Sequence, residues 1–422
     1  MEDLNELKKI EQYVDQCMKC GFCTFFCPIY QEELVESSAA RGKIFLTKQV
    51  LKGGQQLSDQ AMDIIGKCLL CKACAVNCPA KTQVDRVIVG ARAEQVRQQG
   101  LPLVKRLIFR HVMANRRLFG WTVKLASKLQ WMIPGKQGKM KHLPDFLKAL
   151  GQGRNIPAIS SVLLRDQVQE VNPPWDSKAP RMRVGYFMGC ATDFIFPETG
   201  LKTIEFLTRH GIEVVVPKAQ SCCGAAIYFS GDLETGRMLA YRNMEAFKDL
   251  DYVVTTCATC SSSLKDYKVY LPENDKQRKE FEDFSKKIKD VTEFLVDVLD
   301  IPPQEFHLRK EFQGKTITWH DPCHLVRYQN IRNQPRRILQ ALQGSTYVEM
   351  PNADRCCGMG GSFSIYHYDL TKKIADRKVE SVKATSADIV VTACPGCMIN
   401  LADHLQRAEM PQQVRHLMDL FE

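Results

Sequence analysis

Eighteen cysteines, sorted into four groups by their spacing, constrain this chain more than any other feature. The pattern C-x2-C-x2-C-x3-C-P occurs at Cys17, Cys20, Cys23, Cys27 and Pro28, and again at Cys68, Cys71, Cys74, Cys78 and Pro79. Further along, Cys190, Cys222, Cys223, Cys257 and Cys260 recur as Cys323, Cys356, Cys357, Cys394 and Cys397, with offsets that drift only from 133 to 137 residues. Duplication of a domain of about that length explains the second repeat most simply. Four, four, five and five use every cysteine, which leaves no thiol for disulfides or nucleophilic catalysis. Disulfide frameworks belong to small secreted domains, whereas this chain has 422 residues and an acidic, amphipathic start, MEDLNELKKIEQYVDQ, unlike a signal peptide. Metal or redox use is the expectation.

In each N-terminal run a short loop can wrap three thiolates around one [4Fe–4S] cubane, while the fourth cysteine, followed by Pro, crosses to the other cluster. On that rule Cys17, Cys20, Cys23 and Cys78 hold one cluster, and Cys68, Cys71, Cys74 and Cys27 hold the second. A zinc ribbon also uses paired C-x2-C, but it needs four ligands in all and has no use for two quadruplets each closing on Cys-Pro. Two adjacent clusters point to an electron relay. Between the runs, Arg41 and Lys43 of ARGKIFL can neutralise cluster charge or simply cover a helix surface.

The later groups have a different logic. Adjacent cysteines are ill suited to bond each other, because a disulfide wants Cα atoms roughly 5.5 Å apart. Cys222–Cys223 and Cys356–Cys357 therefore read as ligands of a multi-metal cluster, with Gly224 and Gly358 giving the backbone freedom for a sharp turn. MRVGYFMGC, IEVVVP and YVVTTCATC predict strands, and GLKTIEFLTRHG and LETGRMLAYRNMEAFKDL predict helices between them. KTITWHDPC, STYVEM, RCCGMGG and ADIVVTACPGC repeat the order. Strand and helix in alternation imply a parallel α/β sheet, whose strand ends form the ligand crevice.

The expected fold class is thus α+β and multidomain, a helical, bacterial ferredoxin-like 2x[4Fe-4S] domain followed by a duplicated α/β pair with parallel sheets. The expected domains are residues 1–100, a basic helical linker at 101–180, and two cysteine-rich domains at 181–300 and 301–422. His320 and His324 flank Cys323 in WHDPCHL, where a histidine can donate to cluster sulfide, relay a proton or serve as packing.

These motifs, from CGFCTFFCP through RGKIFL to both Cys-Cys-Gly copies, resemble the CCG-domain iron–sulfur proteins. That group includes the CCG-bearing subunit of heterodisulfide reductase, the iron–sulfur subunit of anaerobic glycerol-3-phosphate dehydrogenase, and those of glycolate and lactate oxidases. The order of two ferredoxin runs, a linker and two CCG halves looks most like the glycolate/lactate oxidase subunit. The resemblance implies an iron–sulfur electron-transfer subunit that takes electrons from a partner FAD protein oxidising D-lactate or glycolate, and passes them to a membrane quinone or another acceptor. Catalysis by the CCG clusters themselves, as in heterodisulfide reductase, is one alternative, and the role of the iron–sulfur subunit of anaerobic glycerol-3-phosphate dehydrogenase is another. The resemblance also implies one further cluster in each CCG half, a noncubane [4Fe–4S] type being favoured over a cubane or zinc. The chain itself carries no G-x-G-x-x-G flavin fingerprint, and substrate chemistry is expected on the partner.

Composition narrows the partners. Residues 101–150 hold eleven Lys/Arg against Asp145 alone, so this segment carries the whole net charge of +10. With Phe109, Phe119, Trp121 and Trp131 interleaved, it suits either an anionic membrane surface or an acidic partner subunit. Nucleic acid is not expected, since the rest of the chain is balanced in charge. No run approaches the roughly 18 apolar residues of a membrane span. A cytoplasmic protein, peripheral on the inner membrane face at most, is the expectation.

Overall fold

The repeated strand signals build two separate sheets. In the computed structural model the described residues are 6–53, 58–130, 135–136, 140–142, 154–176, 179–272 and 274–422. Trp131, counted above in the basic segment, lies outside them.

The N-terminal part consists of helices and connecting loops, with no strand among its described residues. Its longest helix, Val84–Gln99, buries Val84, Val87, Ile88 and Ala91, the i, i+3, i+4, i+7 stripe of one helix face. That stripe packs against Glu6–Asp15 and Ala40–Gly53. The basic segment continues as a helix from Leu103 through Met113, with π geometry over Leu107–Met113, and turns at Asn115 into Arg116–Leu129. The Asn115 side chain accepts from the Leu118 amide at 3.1 Å and starts the second helix. Beyond it the expected helical linker changes character. β1 (Gly135–Lys136), β2 (Met140–His142) and β3 (Asn155–Pro157) form a small antiparallel ribbon.

The first cysteine-rich half contains β4 (Val171–Asn172), β5 (Met182–Tyr186), β6 (Ile212–Val215), β7 (Tyr252–Thr255) and β8 (Ile288–Asp290) in the order β4-β6-β5-β7-β8. All neighbours run parallel except β4, an edge strand from the expected linker that pairs antiparallel with β6. The second half has β9 (Thr316–Trp319), β10 (Thr346–Val348), β11 (Ile389–Thr392) and β12 (Gln413–His416), all parallel, in the order β10-β9-β11-β12. β11 is buried along its whole length, as the centre of a parallel sheet covered on both faces must be. β8 and β12 escape the sequence signals because IKD and QVRH are too short and polar to show strand periodicity.

One core runs through both halves, from Val184, Tyr186 and Val214 to Trp319, Ile389 and Val391. A second joins the N-terminal helices to the first half through Ile10, Val14, Val87, Phe187 and Phe247. A third seam, of Ile29, Leu69, Phe363 and Ile374, joins them to the second half.

β8 ends in a buried cap. The Asp290 Oδ1 accepts from the Thr292 amide and hydroxyl at 2.9 and 2.7 Å, while burial pushes the carboxyl up to about 7. The folded state therefore binds this proton more tightly than the unfolded state. The stabilisation is fully present below the ordinary carboxyl value and is lost as pH rises through the raised one. Asp290→Asn should accordingly gain stability relative to the parent as pH rises from about 4 to about 7, read as denaturation midpoints. A pH-independent difference would refute this linkage.

Candidate metal centres

The two ferredoxin runs fold alike because their backbones turn at equivalent places. Two and four residues after the first cysteine, Lys19 and Gly21 in one run and Leu70 and Lys72 in the other have left-handed φ of 53° to 83°. Three of these four residues carry a Cβ, so the turns cost energy that the surroundings must supply. The Tyr328 hydroxyl donates to the Leu70 carbonyl at 2.7 Å and pins the second turn.

The loops gather sulfurs across the repeats. Cys17, Cys20, Cys23 and Cys78 line one cavity, together with Pro79, Arg41 and Cys74. Cys27, Cys68, Cys71 and Cys74 line the next, beside Lys43 and Lys72. Arg41 donates to the Lys19 carbonyl at 3.0 Å and pairs with Glu36 at 2.6 Å, while Lys43 is buried against the second cavity and donates to the Ser38 carbonyl. Burial pushes the thiols of Cys27 and Cys74 above their ordinary value. At these two positions the neutral thiol is favoured until a cation draws off the proton.

In the CCG halves, each strand of the β5, β6, β7 set and of the β9, β10, β11 set delivers a cysteine group to one sheet edge. Cys190 and Cys323 begin short helices, Gly224 and Gly358 turn the vicinal pairs at φ 79° and 88°, and Cys257 and Cys394 cap the helices that carry Cys260 and Cys397. The amides of Gly224, Gly358 and Cys260 point at the sulfurs of Cys222, Cys356 and Cys257, each at 3.4 Å, as donors suited to thiolates. The Cys357 and Cys397 sulfurs are 3.3 Å apart. The neighbouring thiols of Cys222 and Cys260 hold Cys223 well below the ordinary thiol value, and those of Cys356 and Cys397 do the same for Cys357.

His320 enters this cage, within 4.8 Å of the Cys357 and Cys397 sulfurs. It is 1% exposed, neither ring nitrogen has a hydrogen-bond partner among the described residues, and burial lowers its pKa to about 3. A buried imidazole with both nitrogens orphaned is costly in an empty cage and natural beside a metal–sulfide group. The cysteine set and this orphan fit an iron–sulfur cluster. The structurally equivalent amide in the first half belongs to Phe187, which like His320 donates to the next strand. His324 is different, since its Nδ1 lies 2.8 Å from the Ser262 hydroxyl and its ring stacks on Phe229 and Tyr328.

Neighbouring centres touch. The Cys71 and Cys356 thiols lie against each other across the seam between the second ferredoxin run and the second half, close enough that each shifts the other's titration. The Cys257 and Cys394 thiols meet between the halves, where the Ala258 amide also donates to the Ala393 carbonyl at 3.0 Å. Two arginines not evident in the sequence brace these junctions. Arg327 donates to the carbonyls of Cys71 and Asp354 at 3.3 and 2.7 Å. Arg92 donates to the carbonyls of Cys68 and Phe229 at 2.9 and 2.8 Å. Only a basic residue on an otherwise buried helix face could have signalled Arg92; for Arg327 the sequence carries no signal.

Comparison with known proteins agrees with this geometry. Residues 184–265 and 317–402 match the "Cysteine-rich domain" family CCG, and residues 13–82 match the "4Fe-4S dicluster domain". The chain is 30% identical over 420 residues to a "Probable glycolate oxidase iron-sulfur subunit" from Bacillus subtilis, covering 96% of this chain and 92% of the relative. It is 27% identical over 415 residues to a subunit of "Fumarate reductase (CoM/CoB)" from Methanothermobacter marburgensis, covering 96% and 70%. "Lactate utilization protein A" from Oceanobacillus iheyensis is 32% identical over 239 residues, which cover 57% of this chain and 96% of that one. A crystal structure of a hypothetical protein from Helicobacter pylori shares the fold, with a TM-score of 0.52 at 10% identity over 98% of this chain and 70% of that one.

Proposed function

The chain belongs to the CCG-domain iron–sulfur family that contains the Bacillus subtilis relative, and from that premise we propose that it is the electron-relay subunit of a flavin-dependent dehydrogenase of 2-hydroxy acids, D-lactate or glycolate. When bound, the clusters supply one-electron carriers. Cys17, Cys20, Cys23 and Cys78 hold the first cubane, and Cys68, Cys71, Cys74 and Cys27 the second. The five cysteines of each CCG half hold a noncubane cluster, with His320 donating to the one in the second half.

The observation that carries this reading is the unbroken succession of sulfurs. Cys74 borders both ferredoxin cavities, Cys71 meets Cys356, and Cys394 meets Cys257. This supports an order of first cubane, second cubane, second CCG half, first CCG half. At the outer end Cys20 is exposed, and Met18, Phe22 and Phe25 around it are 65%, 53% and 73% exposed. Such an apolar rim suits docking of the flavoprotein. No helix among the described residues is long and apolar enough to cross a membrane.

Purification of the native complex tests the assignment. An FAD subunit with lactate or glycolate dehydrogenase activity should accompany the chain, and Phe25→Asp should weaken that association. The likeness to the fumarate reductase (CoM/CoB) subunit favours a second reading, disulfide chemistry on the CCG centres. Disulfide reduction by the isolated holoprotein, without a hydroxy-acid-oxidising partner, would establish that reading instead.

A further inference from the structure

The two CCG halves repeat one another, so a charge buried beside one vicinal pair and missing beside the other acts on one centre more than on its twin. The helices Leu233–Phe247 and Tyr368–Lys383 follow the two pairs, and Gly224 and Gly358 lie against Leu239 and Ile374 on them. One helical turn further on stand Asn243 and Lys378, both fully buried. Each holds the loop that leads into its pair. The Asn243 Oδ1 accepts from the Ser221 amide at 2.7 Å, and its Nδ2 donates to the Cys222 carbonyl at 3.0 Å. The Lys378 Nζ donates to the carbonyls of Asn352 and Ala353, both at 2.9 Å. The Ala353 carbonyl also accepts from the Asp321 amide at 3.0 Å, which sets the ammonium beside the end of β9 that carries His320. The anchoring done by a neutral amide in the first half is thus done by a cation in the second.

Other charges near the pairs are matched. Arg327 donates to the Asp354 carbonyl at 2.7 Å, and Arg116 of the basic hairpin donates to the Gln220 carbonyl at 2.6 Å, each two residues ahead of the first vicinal cysteine. Arg336 pairs with Asp321 at 2.8 Å, and the Arg165 Nε donates to the Asp193 carboxylate at 2.6 Å. Lys378 has no such counterpart, and its hydrogen-bond partners among the described residues are the two carbonyls and the Met350 sulfur at 3.6 Å. Burial lowers its pKa to about 8, with the Cys357 sulfur opposing that fall, so the group is charged at neutral pH. A buried ammonium without a carboxylate is costly unless another anion stands near.

We propose that the Lys378 ammonium raises the reduction potential of the second-half centre above that of the first-half centre, so that an electron entering the CCG pair rests in the second half. The proposal rests on the reading that each half holds a cluster. Each added electron makes a cluster with its thiolates more negative, and a cation fixed in a poorly screening interior favours that reduced form. Asn243, being neutral, gives the first half no such bias. A 2-hydroxy acid gives up two electrons together, whereas each cluster carries one. A resting place beyond the cubanes keeps the first electron away from the flavin while the second follows.

The test is a redox titration of the anaerobically purified holoprotein at neutral pH, with dithionite and soluble mediators, followed by electron paramagnetic resonance. The two CCG signals are assigned by their loss in Cys223→Ser and Cys394→Ser. In the parent the second-half signal should be reduced at the higher potential. Lys378→Met, and Lys378→Gln, which keeps a donor for the carbonyls but no charge, should each cut the reduced-to-oxidised ratio of that centre roughly tenfold at the parent's midpoint. The first-half centre and both cubanes should stay where they were. Equal or reversed potentials in the parent overturn the proposal, as does a parent-like midpoint in both variants. A shift in Lys378→Met that Lys378→Gln restores assigns the effect to hydrogen bonding and overturns the role of charge. Iron lost from the second half in both variants makes Lys378 a brace for the loop and likewise overturns it. About eight irons and no CCG signal in the parent remove the reading beneath the proposal, whereas two CCG signals at one potential leave that reading standing and remove only the role of Lys378.

Discussion

Cys78→Ser should strip the cubane of Cys17, Cys20 and Cys23 while leaving that of Cys68, Cys71 and Cys74 in place. In sequence Cys78 belongs to the second run, yet its side chain lines the first cavity with Pro79, while Cys27 of the first run lines the second. A serine hydroxyl is a poor substitute for a thiolate toward iron. The expected readout is a loss of about four irons per chain, with one of the two cubane signals gone from the reduced spectrum. Cys27→Ser should give the complementary loss. If Cys78→Ser removes the signal that Cys71→Ser also removes, ligation follows the sequence runs and the crossing is wrong. Because the shared ligand also ties Cys17–Cys23 to the start of the long helix at Val84, the variant should unfold at lower denaturant as well.

The second large effect concerns direction. The Cys394 thiol lies beside those of Cys257 and Cys397, which lower its pKa, and so stands at the junction of the two CCG halves. Cys394→Ser should empty the second-half centre and leave the first-half centre oxidised during turnover with the flavoprotein, although both cubanes are reduced. Cys223→Ser should empty the first-half centre and still allow the second to be reduced. Freeze-quenched spectra after hydroxy-acid addition would separate the two cases. Equal reduction of the first-half centre in Cys394→Ser and parent would mean that electrons reach it by another route. Metal analysis of the parent sets the baseline: about eight irons would leave the CCG halves without clusters, and zinc there would eliminate the noncubane type.

Much of the architecture was readable because its signals are local. Met182–Tyr186, Tyr252–Thr255 and Ile389–Thr392 are apolar runs that end at cysteines, and a strand buried on both faces needs little more to announce itself. The cysteine groups stood out for the same reason, since loops that wrap a cluster have little freedom in length. Signals failed where a residue acts through distant backbone. Arg92 and Arg327 serve carbonyls supplied by segments far away in the chain, and β8 and β12 are strands because a sheet edge was open beside them. His320 was visible as a neighbour of Cys323, but its two orphaned nitrogens inside the Cys357–Cys397 cage were not.

The amino-acid sequence by itself determined that this is an iron–sulfur protein whose eighteen cysteines fall in four sets on two kinds of repeated unit. Ligand number and spacing are properties of short stretches, and short stretches carry them intact. Only the tertiary structure decided which set faces which. That Cys71 lies against Cys356 rather than Cys222, and that Cys190 and Cys222 of the first CCG half border Arg116 and Phe119 of the basic hairpin, follows from how apolar faces of separate domains dock. Those faces are complementary in three dimensions, and no local pattern of residues records their pairing.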